Sequence, residues 1–327
     1  MRFVLRRAGF FLITLWAAVT LNFFLPRMMP GNPAIAMMAK FHGRLTGQAL
    51  ANLETIFGVN THQSLPAQYW HYLGDMATGH FGTSLFYFPS PVWAEVRVAI
   101  PWTLGLFGIT TILAFLLGTG VGIVGGWRRG GIFDSVATPL LVITSAIPYF
   151  WVGIMFILIF SLKLGWLPFS GGMDIGETPA LTGEFIGNIL QHAILPSLAL
   201  LITTIGTWTL TMRNNMVTTL AEDYVRMARA KGLPASRIML DYAARNAILP
   251  NLTGFAMSLG FVLGGAILIE YVFNYPGVGY MLLQAVQNED YPLMQALFLL
   301  ITVAVLIAIL LADIATAIFD PRTRTAQ

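Results

Sequence analysis

The sequence predicts an all-α polytopic membrane protein with six transmembrane helices and both termini cytoplasmic. Three observations predict it. Hydrophobic types make up 56 % of the 327 residues and charged types 10 %, against about 25 % charged in a soluble domain. A water-soluble globule so poor in charge could not cover its surface with polar groups. Six uncharged runs reach or approach the roughly 20 helical residues that cross a bilayer: Ala8–Pro26, Val98–Trp127, Ser135–Leu162, Phe185–Met212, Asn246–Ile269 and Tyr291–Ala312. Starting inside, thirteen Lys and Arg fall in inner segments and five in outer ones, as the positive-inside rule requires. The formal charge of +3 suggests no nucleic-acid partner, and the lack of cysteine excludes disulfides and thiolate sites.

Arg2, Arg6 and Arg7 ahead of the first apolar run look like the start of a signal peptide. No small-x-small cleavage site follows, so the first helix is read as retained. Residues 1–97 then comprise that helix and an external subdomain with helix-favouring Gln48–Phe57 and aromatic-rich Gln68–Leu73. Residues 98–319 form a five-helix core, and 320–327 a cytoplasmic tail. Within the core, Trp127–Asp134 is a tight inner loop, Lys163–Glu184 an outer one and 213–248 a long inner one. Tyr271–Asp290 closes the outer side. No repeat relates the halves, as an inverted-repeat secondary transporter would show.

The span centres carry no ionisable residue, so no ion path or proton relay is marked. Asp313, Glu270 and Arg213 stand at span ends, where water or headgroups reach them, and read as capping or interfacial groups. His192 either lines a polar path or starts a helix near the outer surface. Gly118, Gly122 and Gly126, and likewise Gly260 and Gly264, are four apart and predict close helix packing. Pro139, Pro148, Pro196 and Pro250 predict kinks or helix starts.

Thr219–Pro250 is the most informative stretch. Glu222 and Asp223 near its start and Arg229 and Lys231 later match a helix dipole, and Gly232 followed by Pro234 supplies a stop. Leu220, Tyr224, Met227 and Lys231 fall on one face. A second helix starts near Ser236 and runs to Pro250. Such a capped helix on the inner side either rests on the membrane or is gripped by a soluble partner.

Arg226–Gly232 with Asn246–Pro250 resembles the cytoplasmic loop of ABC importer permeases of the oligopeptide/dipeptide type. Pro30-Gly31-Asn32-Pro33, Gly79-His80-Phe81-Gly82-Thr83-Ser84, Ile100–Leu104, Tyr271–Gly279 and Asp320-Pro321-Arg322 resemble further motifs of that group, in its order. His80 stands where the group usually has an acid. The broader EAA signature lacks its Glu here, Arg226 taking that place, a departure usual in the peptide-type group.

The resemblance implies a type I ABC importer permease fold in a bacterial or archaeal plasma membrane. It implies a second homologous permease, two ATP-binding subunits that hold ATP and Mg, and an extracytoplasmic substrate-binding protein. This chain binds no cofactor and catalyses nothing. Tyr224, Arg226, Ala228, Arg229, Lys231 and Gly232 are the implied ATPase-docking element. Peptides are the first cargo implied, with oligosaccharides or nickel as alternatives. The competing classes are a stand-alone channel or secondary transporter, and an intramembrane hydrolase using His192 with Ser145 or Ser197. No Walker A loop, HExxH or GxSxG occurs. His42, His62, His71 and His80 fit no metal-ligand spacing. Tyr69, Trp70, Tyr72, Phe86, Tyr87, Phe88 and Trp93 read either as sugar-stacking surfaces or as the core and contact surface of the external subdomain.

Overall fold

The computed structural model describes residues 2–28, 63–180, 182–264 and 267–319. The expected helix at Gln48–Phe57, the segment Pro30–Pro33, His42, His62, the side chain of Asp313 and the tail from Asp320 lie outside them. Among the described residues no strand forms; an isolated bridge pairs Thr83 with Pro91.

Among the described residues the α-helices longer than three residues are α1 (Arg2–Met28), α2 (Leu65–Thr78), α3 (Val92–Thr103), α4 (Ile109–Trp127), α5 (Ile132–Ser145), α6 (Tyr149–Phe156), α7 (Gly183–Thr219), α8 (Asp223–Ala230), α9 (Leu249–Gly260), α10 (Ile267–Val272), α11 (Val278–Gln287) and α12 (Tyr291–Phe319). Wider π-helical turns at Leu104–Gly108, Ile157–Lys163 and Ile238–Ala244 extend three of the helical runs.

Among the described residues three helical runs are long and apolar enough to cross a bilayer: Val92–Trp127, Gly183–Thr219 and Tyr291–Leu311. A fourth crosses only as a pair, because Ile132–Ser145 and Tyr149–Lys163 meet at 93°. Pro148 stands just ahead of α6; it lacks an N–H and disfavours helical geometry at Ile147. The expected run Asn246–Ile269 is likewise not one helix. It ends at Gly260 and turns through 261–264 before α10 begins. Gly260 and Gly264 therefore do not share a helix face: two glycines in five residues cost helix stability, and here they end the helix rather than pack it. The apolar part of α1 is Gly9–Leu25.

The chain forms two compact units. The first comprises residues 1–103, 263–271 and 276–310. Its core packs Val92, Val96 and Ala99 of α3 against Val278, Met281 and Leu282 of α11 and Leu293 and Leu297 of α12. Phe23 of α1 and Tyr72 of α2 form a second cluster, and Asn22 Nδ2 donates to Tyr72 Oη at 3.0 Å. Burial pushes the Tyr72 phenol up to about 12, so it stays a neutral hydrogen-bonding group. Asp290, fully buried, caps α12 through Leu293 N at 3.1 Å and holds Ser84 Oγ and Phe86 N.

Glu270 is not at a wet span end; it is fully buried. Its carboxylate accepts from Thr103 Oγ1 at 2.7 Å, Tyr280 N at 3.0 Å and the Gly279 amide. The carboxyl group thus sits on the amino end of α11, where unpaired N–H groups favour an acceptor. A Cβ at Gly277 would strike that carboxylate.

The second unit comprises residues 104–262, 272–275 and 311–327. Its spine is α4 against α7. Cβ atoms placed on Gly118, Gly122 and Gly126 would meet the Cβ atoms of Trp208, Met212 and Met216 at 2.6, 2.7 and 2.5 Å. The glycine row therefore lets two backbones touch, as close packing in lipid requires. Arg213 is not left to water or headgroups alone. Its Nε and Nη2 lie 2.5 and 2.7 Å from the Asp134 carboxylate, which ties α5 to α7.

Candidate functional site

The inner loop folds as a short helix on an apolar seat. A turn at 220–222 ends α7, and Asp223 opens α8 with its negative charge in the first turn. At the other end Gly232 adopts φ 73°, a left-handed conformation that L side chains resist. Gly232 N donates to Arg229 O at 2.9 Å and Leu233 N to Ala228 O at 3.4 Å, the two bonds of a Schellman stop. The second helix begins at Ala235, one residue before the expected Ser236, and continues through the wide turns to α9.

The face that α8 buries differs from the face the spacing picked. Val225 and Ala228 are the buried positions, packed with Ile238 and ringed by Trp127, Leu220, Leu233 and Tyr242. Tyr224 and Met227 are exposed, Met227 at 58 %. The helix is too short for one broad stripe. Its small apolar side chains fit beneath a close-lying helix, and the larger ones are left outward.

The six residues read as a docking element are divided by this arrangement. Tyr224, Arg226, Arg229, Lys231 and Gly232 are exposed. Arg226 Nη1 lies 3.6 Å from Asp223 Oδ1 at the surface, a pair too wet to hold the arginine firmly. Ala228 faces inward and is 2 % exposed, so it supports the helix instead of touching a partner. Arg229 places its guanidinium carbon 5.8 Å from the ring centre of Trp127. Spacing alone did not single out Trp127, although a tryptophan at the inner end of a span, close to basic residues, was visible in the sequence.

The other sequence-selected residues do not assemble a reactive site. His192 is buried, its Nδ1 3.0 Å from Asn188 O and its Nε2 3.6 Å from Asp174 Oδ1. Asn188 and Asp174 also bond each other, pinning the loop before α7 to that helix. Ser145 Oγ donates to Leu141 O at 2.9 Å. Among the described residues no group of three potential metal ligands occurs; His71 meets Asp75 and His80 meets Thr78. The outer aromatics split between roles: Tyr72 belongs to the core, whereas Trp70 is 71 % exposed.

Residues 118–325 match the family described as binding-protein-dependent transport system inner membrane component, and residues 1–104 match its N-terminal companion. The di/tripeptide transport system permease protein of Pseudomonas aeruginosa is 33 % identical over 335 residues, covering 98 % of each chain. The dipeptide transport system permease protein of Escherichia coli is 33 % identical, covering 99 % of each. The oligopeptide transport system permease protein of Bacillus subtilis is 32 % identical, covering 98 % of each.

Proposed function

Because this chain belongs to the binding-protein-dependent transport system inner membrane components, we propose that it is the permease subunit of a peptide ABC importer, with α8 as its ATPase-docking helix. Near-full-length similarity to permeases named for dipeptides and oligopeptides supports the peptide cargo. In this reading the chain spans a bacterial or archaeal plasma membrane six times with its ends inside. It pairs with a second permease and forms half of the path. An external binding protein delivers the peptide, and two separate subunits bind and hydrolyse ATP with Mg.

The single observation that carries the docking role is the construction of α8. It is stopped by a Schellman motif, buried on one face through Val225 and Ala228, and outward-facing through Tyr224, Arg226, Met227 and Lys231. Closure of the ATPase pair would move this helix, and the bundle would switch between inward- and outward-facing states because ATP binds one of them better. Outward Arg226 and Lys231 suit charge-assisted bonds to carboxylates on the ATPase, and Tyr224 and Met227 suit an apolar cleft.

The test is mass identification of what co-purifies with the tagged chain, gently solubilised and cross-linked in its native host. A second permease and one or two Walker-motif ATPases are expected. A chain recovered alone or only with itself would overturn the importer reading. The binding protein encoded with them then serves for cargo screening, in which a sugar or nickel ion bound in preference to peptides would overturn the cargo.

A further inference from the structure

The seat of α8 has an uneven origin. Leu220, Val225, Ala228, Leu233, Ile238 and Tyr242 all come from the inner loop itself or the turn leading into it. Among the described residues, Trp127, the last residue of α4, is the one member of that cluster from elsewhere in the chain. It also packs against the neighbouring cluster in which Met212 and Met216 of α7 meet Ala243, Ala244 and Ala247. Removing Trp127 would leave α8 resting, within this cluster, on its own loop.

What Trp127 is attached to is stiff. One residue earlier, Gly126 lies so close to α7 that a Cβ would meet Met216 Cβ at 2.5 Å, and Gly122 repeats the contact one turn back. The last turn of α4 therefore cannot slide without carrying α7. The Asp134–Arg213 pair adds α5 to the same block. Above the ring lies Arg229, in the last turn of α8, at 5.8 Å, within the about 6 Å reach of a cation–π contact. The carboxyl end of α8 is thus steered by the same ring that supports its underside.

We propose that Trp127 is a positioning residue that passes movement of α8 into the α4–α7 pair, and that the exposed Arg229 helps orient α8 through its contact with that ring. The proposal rests on α8 being the docking helix. It gives Arg229, exposed like Arg226, the added task of orienting the helix. It also makes the ring, and not merely apolar volume, the working feature of position 127.

The experiment uses the complete importer in proteoliposomes, with the binding protein and peptide supplied. Two quantities are read: the amount of ATPase retained per permease, and the stimulation of ATP hydrolysis by loaded binding protein. Trp127→Ala should retain the ATPase at the wild-type ratio and lose about five-fold in stimulation, the lower end of usual coupling between sites. Trp127→Leu, which keeps apolar bulk without a π face, should remain impaired, whereas Trp127→Phe should recover most of the stimulation. Wild-type stimulation in the Ala or Leu variant would overturn the proposal. Loss of the ATPase from the Leu variant would also overturn it, by making Trp127 part of the dock. A wild-type chain that retains no ATPase would instead remove the docking reading itself, and the proposal with it.

Discussion

Asp134 accepts from Arg213 Nε and Nη2, from Gly130 N at 3.0 Å and from Thr138 Oγ1 at 3.2 Å. With its lone pairs engaged, the 5 % exposed carboxylate is held by charge-assisted and backbone hydrogen bonds. Asp134→Asn should therefore destabilise the chain by about 3 kcal/mol, the low end for breaking a buried pair, because Arg213 keeps part of its side chain in contact with solvent. Thermal unfolding in detergent checks this; an unchanged midpoint would show the pair to be dispensable. The sequence placed Arg213 at a span end and did not pick out Asp134. Charge counting locates such groups along the chain, but pairing across 79 positions depends on which helix faces which. Glu270 was misjudged for the same reason: hydropathy marks the end of an apolar run and says nothing of the α11 amino end that covers it.

Helix α4 against α7 is the element whose packing was legible. Three glycines at four-residue spacing announced a close approach, and each mates with α7 in step, Gly118 with Trp208, Gly122 with Met212 and Gly126 with Met216. Gly122→Leu should force the backbones apart, because its Cβ would meet Thr209 O as well as Met212 Cβ, both at 2.7 Å. Overpacking of this kind costs about 1–3 kcal/mol. Paired cysteines introduced on the two helices would cross-link in the parent chain, which has no cysteine of its own, and should cross-link poorly in the variant. Equal cross-linking would show that the helices accommodate the side chain. The same spacing misled at Gly260 and Gly264, where the helix stops. A four-residue repeat has meaning only if the helix persists, and persistence depends on the neighbouring turns.

At the scale of the whole molecule, composition and the distribution of Lys and Arg were enough to read a helical membrane protein. They counted uncharged runs, however, not directions of travel: Pro148 marked a kink or helix start, but the size of the 93° bend there and the break after Gly260 were missed. The topology remains a sharp expectation. In intact, right-side-out cells a tag after Gln327 should be shielded, while a protease site inserted near Gly47 should be cut. The reverse pattern would invert every assignment of inside and outside, including the cytoplasmic placement of α8.

The carboxylate of Glu270 and the bare backbone of Gly277 occupy the same space from two sides. Neither position is free to drift alone: any side chain at 277 needs a shorter one at 270, and a shorter one at 270 strips the amino end of α11 of its acceptor. Chimaeras between this permease and its relatives inherit that constraint. A graft that brings in α11 with the turn before it should carry α10 and Thr103 along, because the three segments form a single lock rather than interchangeable parts.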